Sequence, residues 1–220
     1  MGVIRLERKG TEVADPADAT EAEPGRLGEV LDVAARLFHE KGYRGTSLVE
    51  IGAALGMNKA SLYYYVRSKE ELARRLILRA SRRLRDIARS PEIEALPPEQ
   101  ALERLVREHC AVLLEFPHEM GLLIQQRKYV APETLREIGE RERIYVAHVR
   151  AVIARGIESG VFRQADVGVA TSLALDAING LLRWWKPDGR LPREAVLDAV
   201  WTFIQGGLSA PAPRRKRHAS

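Results

Sequence analysis

The 220-residue chain is 45% apolar and 30% charged with a formal net charge of +5, a balance that suits a soluble folded protein and excludes a disordered one. No apolar run approaches the roughly 18 residues of a membrane span, and MGVIRLERKG offers neither a signal-peptide core nor, with Leu6, a myristoylation pattern. A single cysteine, Cys110, excludes an internal disulfide and fits a reducing cytoplasm.

The positive charge is segregated. Residues 26–90 hold 14 Lys/Arg against 7 Asp/Glu, whereas residues 91–210 hold 14 against 17. A basic segment beside an acidic one points to a polyanionic partner more than the total charge does. The tail RRKRHAS is also basic.

Residues 1–25 are polar, carry Pro and Gly, and show no apolar period, so they are expected to form a disordered arm. From Arg26 the period becomes helical. Leu27, Leu31, Ala34 and Phe38 make one stripe, and Gly42 supplies a stop. Ser47 with Glu50 forms a capping box that opens a helix over about Leu48–Leu55. Gly56 ends it, and Asn58 caps another over Lys59–Val66 after a short turn. Ser68 with Glu71 forms a second box, opening a long helix to about Arg89. Two short helices joined by a tight glycine-containing turn make a helix-turn-helix. Further helices are expected near 99–116, 119–129, 133–158, 166–185 and 192–208, broken at Pro97-Pro98, Pro117, Pro132, Gly160 and Pro187-Asp188-Gly189. Nothing alternates with period 2, so the fold expected is all-α.

The helix over Lys59–Val66 contains the run LYYYV. Leu62 and Val66, four apart, face the core. Lys59, Ala60 and Tyr63 share another face, with Tyr64 beside it. A recognition helix needs such a face: a small residue where a duplex approaches, with hydroxyls and cations around it for base edges and phosphates. Lys69 stands at the first position of a helix, where the macrodipole disfavours a cation. A bound phosphate would reverse that sign, and Thr46 and Ser47 offer a similar clamp.

The stretch VLDVAARLFHEKGYRGTSLVEIGAALGMNKASLYYYVRSKEELARRLI resembles the DNA-binding domain of the TetR (tetracycline-repressor) family. The likeness rests on A-x-x-L-F-x-x-K-G-Y-x-x-T-S at Ala34–Ser47, I-G-x-x-L-G at Ile51–Gly56 and L-Y-Y-Y-V-x-S-K-E-E-L at Leu62–Leu72. Val66 departs from the more usual phenylalanine, a change that touches packing. The resemblance implies base or backbone contacts by Lys59, Ala60, Ser61 and Tyr63, and phosphate contacts by Thr46, Tyr64, Tyr65 and Lys69. It implies a helix-turn-helix domain over 26–72 and a ligand-binding, dimerising domain over 73–208; the basic residues after it predict a disordered tail over 209–220.

In the second domain, Val196, Val200, Phe203 and Gly207 form one stripe, and Leu197, Trp201, Ile204 and Leu208 another beside it. Ala170, Ala174, Ala177 and Leu181 stripe the preceding helix. Faces so broad predict a homodimer interface. NGLLRWWKPDGRLP at Asn179–Pro192 resembles the C-terminal signature of TetR members that respond to acyl-CoA esters. The resemblance implies an apolar tunnel and cations, with Arg127, Lys128, Arg183, Trp184 and Lys186 as candidates. No Gly-rich phosphate loop, Cys-x-x-Cys or H-E-x-x-H occurs, and Glu115-x-x-His118 occurs once where a di-iron bundle needs two copies. Neither catalysis, a cofactor nor a metal is therefore expected. The expectation is a homodimeric repressor that leaves a palindromic DNA operator on binding a small effector such as an acyl-CoA. The rivals are an architectural DNA-binding protein and a regulator that answers a drug-like ligand.

Overall fold

A computed structural model describes residues 25–125 and 131–209. Residues 1–24 of the expected arm, 210–220 of the expected tail, and Arg127 and Lys128 lie outside the described residues. The fold is all-α. Eleven helical segments and no strand occur among the described residues, and one isolated antiparallel bridge pairs Phe162 with Ser209.

Helices α1 (Arg26–Gly45), α2 (Leu48–Ala54) and α3 (Lys59–Tyr65) form the N-terminal unit. The α1 stripe is buried as its spacing predicts, with Leu31, Ala34 and Phe38 at 1%, 0% and 0% exposure. Gly42 does not end the helix outright. It takes a left-handed φ of 76°, kinks the chain, and a last turn continues to Gly45. At α2 the capping box forms: Ser47 Oγ accepts from the Glu50 amide at 3.2 Å, and the Glu50 carboxylate accepts from the Ser47 amide at 2.9 Å. Asn58 Oδ1 caps α3 through the Ser61 amide at 2.8 Å.

Helix α4 (Lys69–Ala88) starts with half of its expected box. Ser68 Oγ accepts from the Glu71 amide, but the Glu71 carboxylate accepts from the Arg67 amide at 2.7 Å. This helix is continuous through residue 72, the expected domain boundary, and packs on α1 as well as on the C-terminal helices.

Those helices are α5 (Pro91–Glu94), α6 (Pro98–Glu115), α7 (Pro117–Gln125), α8 (Pro132–Glu158), α9 (Val167–Asn179), α10 (Leu181–Trp184) and α11 (Arg193–Leu208). Four of them open on a proline, which has no amide proton to leave unbonded in a first turn. The expected helix over 166–185 is split at Asn179-Gly180 into α9 and α10, a pair that commonly ends helices. At the end of α8, Gly156 admits the ring of Phe162, which a Cβ there would meet at 2.0 Å.

The two stripes of α11 need correction. Val196, Leu197, Val200, Trp201, Ile204 and Leu208 are all buried in their own domain, as are Ala170, Ala174 and Leu181. Of the residues assigned to a dimer face, Phe203 and Gly207 are the ones left exposed. The stripes are broad because α11 packs on both α6 and α9 and so buries two sides.

Candidate DNA-reading face and effector domain

In α3 the run LYYYV divides as its helical spacing predicts. Leu62 and Val66 are each 1% exposed, and they fix α3 against the core. Tyr64 is 85% and Tyr63 43% exposed, and Lys59, Ala60 and Ser61 are exposed beside them. The Lys59 ammonium lies 5.7 Å from the Tyr63 ring centroid, a loose cation–π contact. Tyr65 is half-buried against the core, its ring edge-on to Tyr64 at 5.2 Å. The third tyrosine is therefore a packing residue at the rim of this face. Ser47 is exposed at the start of α2, its hydroxyl engaged with Glu50.

Two expected phosphate ligands are placed otherwise. Thr46 is 2% exposed, and its hydroxyl lies 3.0 Å from the carbonyls of both Leu37 and Gly42. Its side chain closes the end of α1 and does not reach the surface. Lys69 Nζ donates to the carbonyls of Tyr43 and Thr46, both at 2.9 Å, and stands 4.5 Å from the Tyr43 ring centroid. The cation at the start of α4 is stabilised by carbonyls at the end of α1, where the helix dipole favours positive charge. Within its own helix Lys69 faces an unfavourable dipole, and the neighbouring helix supplies the partners in place of the expected phosphate. Tyr43 also donates its phenol to Glu70 at 3.1 Å, and burial, then this contact, pushes its pKa up to about 12.

A polar clamp joins this unit to α7. Glu119, 5% exposed, accepts from Arg79 Nη2 and Arg83 Nη1, each at 2.6 Å, and from Arg79 Nε at 3.1 Å. Arg79 reaches on to Asp32 of α1 at 2.6 Å, and the Arg83 guanidinium lies 3.5 Å over the Phe116 ring. Next to Glu119, His118 faces His39 of α1 with ring centroids 4.7 Å apart. Burial, then the charge of His39, pushes the His118 pKa down. Sequence reasoning missed the clamp, since nothing in EFPHEM says that its second glutamate is buried.

In the C-terminal domain, Arg183, Trp184 and Lys186 are exposed at α10 and the turn after it, so these expected ligands lie at the surface and not along a buried tunnel. An open groove of about 640 Å³ runs between α9 and α11, lined by Val169, Leu173, Phe203, Gly206 and Gly207 among others. Val169, Leu173 and Phe203 are 58%, 65% and 74% exposed there.

Inside the domain, His109 of α6 and Tyr145 of α8 are bonded Nδ1 to Oη at 2.9 Å, with rings nearly perpendicular. Burial pushes the His109 pKa down to about 3, so the imidazole is neutral, and pushes that of Tyr145 up. This pair was also missed, although the spacing of Leu102, Leu105, Val106, His109 and Leu113 places the histidine on the apolar stripe of α6.

Residues 30–76 match the family described as bacterial regulatory proteins, tetR family, and residues 95–208 match the tetracyclin repressor-like C-terminal domain. The HTH-type transcriptional repressor KstR2 of Rhodococcus jostii is 28% identical over 89% of this chain and 97% of its own. The TetR family regulator PfmR of Thermus thermophilus superposes with a TM-score of 0.75 at 34% identity, covering 82% of this chain and 99% of that one. AibR, solved with isovaleryl coenzyme A and operator DNA, superposes with a TM-score of 0.74 at 26% identity over 81% and 97% of the two chains.

Proposed function

Because this chain belongs to the TetR family of transcriptional regulators, we propose that it is a homodimeric repressor that leaves a palindromic operator on binding an acyl-CoA ester. The observation that carries the DNA half is the exposed face of α3. Lys59, Ala60, Ser61, Tyr63 and Tyr64 project from a short helix whose opposite side is locked by Leu62 and Val66. Such a helix enters a major groove with its first residues at base edges. Ser47 and Tyr64 are the hydroxyls offered to phosphates, with Tyr65 at the rim.

The α9–α11 groove supports the dimer. Phe203 and Leu173 expose apolar area that a second copy would cover, while Gly206 and Gly207 leave room for a helix to approach. A dimer presents two α3 helices to successive grooves of a pseudo-palindrome. The effector class is supported by the likeness to AibR, solved with isovaleryl coenzyme A. Arg183 and Lys186 are the cations proposed for the phosphates of the CoA moiety. An effector that favours a different spacing of the two α3 helices would shift the dimer away from its DNA-bound form. Such a regulator works in the cytoplasm, and no described helix is long and apolar enough to cross a membrane.

The test is selection of a preferred duplex from random DNA by the full-length protein, followed by titration of that complex with acyl-CoA esters. One palindromic site released by an acyl-CoA supports the reading. Binding spread over all sequences and unmoved by any small molecule points instead to an architectural protein. Release by drug-like molecules alone would replace the effector class.

A further inference from the structure

We infer that the buried His109–Tyr145 pair is the anchor for the effector's carbonyl oxygen, an inference that rests on the proposed acyl-CoA reading. Its basis is a count of protons. His109 is 2% and Tyr145 4% exposed, and one hydrogen bond joins them. A neutral imidazole and a phenol bring two polar hydrogens to that bond, which uses one. If the phenol donates to Nδ1, the hydrogen left over is on Nε2, which is buried and has no protein partner. If Nδ1–H donates to the phenol oxygen, the spare hydrogen is on the phenol, and Nε2 is a spare acceptor.

The first arrangement is favoured, because a phenol is the more acidic donor and an imidazole nitrogen the better acceptor. In both, one donor in the α6–α8 seam is left to be matched from outside the pair, and buried donors in folded proteins are rarely left unmatched. The neighbours Leu105, Val106, Cys110 and Leu113 on α6, with Val149 on α8, are buried and apolar. The buried guanidinium one turn before Tyr145, that of Arg141, is held by Glu137 at 3.3 Å, so a neutral acceptor suits this seam better than an ionised one, which would lose its hydration. A thioester carbonyl set between an acyl chain and a CoA moiety has that chemistry. The α10 turn, with Arg183 at its surface, packs on α6, the helix that carries His109.

The test compares each acyl-CoA with its S-alkyl-CoA thioether, which keeps the chain and the CoA moiety but has no carbonyl. Isovaleryl-, octanoyl- and a ring-bearing acyl-CoA, each with its thioether, are titrated into the full-length protein by calorimetry and into its operator complex. The best thioester is expected to bind about tenfold tighter than its thioether, the scale of one buried hydrogen bond. In His109→Leu that preference should fall to about unity. A merely structural histidine would weaken both ligands together and leave their ratio intact. Equal binding of the pair by the wild type overturns the anchor, whether a water or nothing meets the spare donor, and leaves the effector reading standing. A preference that survives His109→Leu also overturns it. Failure of every acyl-CoA to bind or release the operator complex overturns the effector reading and the anchor with it. Should His109→Leu not fold, His109→Phe carries the same comparison, and the wild-type ratio remains decisive on its own.

Discussion

Lys69 donates its ammonium to the main-chain carbonyl of Tyr43 at 2.9 Å while standing 4.5 Å from the centroid of the same residue's ring. The lysine is thus a cap for α1 supplied by α4, and it ties the helix-turn-helix to the helix that leads into the C-terminal domain. Lys69→Met keeps the length of the side chain and removes the charge and both hydrogen bonds. Hydrogen bonds to a charged group contribute roughly 1.5–3 kcal/mol, and a loss in that range is expected in urea denaturation. The salt dependence of DNA binding should not change. A salt slope flatter by about one unit would restore Lys69 as a phosphate ligand.

Tyr63 and Tyr64 should separate base reading from backbone contact. Tyr63→Ala is expected to cost on the order of 1–3 kcal/mol at the selected operator and much less on scrambled duplex. Tyr64→Phe removes one hydroxyl from the most exposed ring, 85% accessible, and should weaken both duplexes alike. Equal loss on both duplexes for Tyr63→Ala would mean that this residue reads no bases. Fluorescence anisotropy at one fixed salt concentration measures both variants.

The helix-turn-helix was legible in the sequence because its determinants are local. Ser47, Asn58 and Ser68 each cap the helix that follows within three residues, and Leu62 and Val66 face inward by spacing alone. What could not be read were contacts between residues far apart in the chain. Lys69 meets a carbonyl 26 residues earlier, and Glu119 meets an arginine 40 residues earlier. A lysine considered against its own helix looks unsatisfied, and only the packing of α1 beside α4 supplies its partner. The α11 stripes failed for a related reason. Periodicity shows that a face is apolar, but not whether its own domain or a second copy covers it.

The Glu119 clamp should be stiff and sensitive to charge. Its carboxylate is nearly inaccessible and bridges two guanidiniums, whose second counter-charge is Asp32, so Glu119→Gln leaves excess positive charge against α7. Breaking such a pair by removing one partner costs roughly 3–5 kcal/mol. The lower end is expected here, because Arg79 retains Asp32. Urea denaturation measures the loss. A change below about 1 kcal/mol would mean that water screens the clamp.

Phe203 is the residue on which the proposed dimer depends most. It is 74% exposed on the α9–α11 groove, and a fully buried aromatic ring contributes roughly 1.5–3 kcal/mol by transfer alone. The two-fold interface of the proposed dimer holds two copies of the residue, which doubles that term. Phe203→Glu should yield a monomer by sedimentation at micromolar concentration and abolish tight operator binding, with the helical content unchanged. A dimer that persists in this variant would place the interface elsewhere.

His109 should also leave a mark on stability against pH. The native state keeps the imidazole neutral down to about pH 3, whereas the unfolded chain takes up a proton near pH 6.5. Between those values the unfolded state holds one more proton, so linkage makes stability fall as the pH falls. The contribution is whole above about pH 6.5 and shrinks from there to about pH 3, by about 1.4 kcal/mol for each pH unit. His118 and His148 have pKa values pushed down in the same direction by burial, and carboxylates titrate at the acid end. The informative quantity is therefore the wild-type slope minus that of His109→Leu. Urea midpoints at pH 7, 6 and 5 should converge for the two proteins as the pH falls if the variant starts out less stable, and cross if it starts close to the wild type. Parallel lines would mean that His109 takes its proton in the folded state.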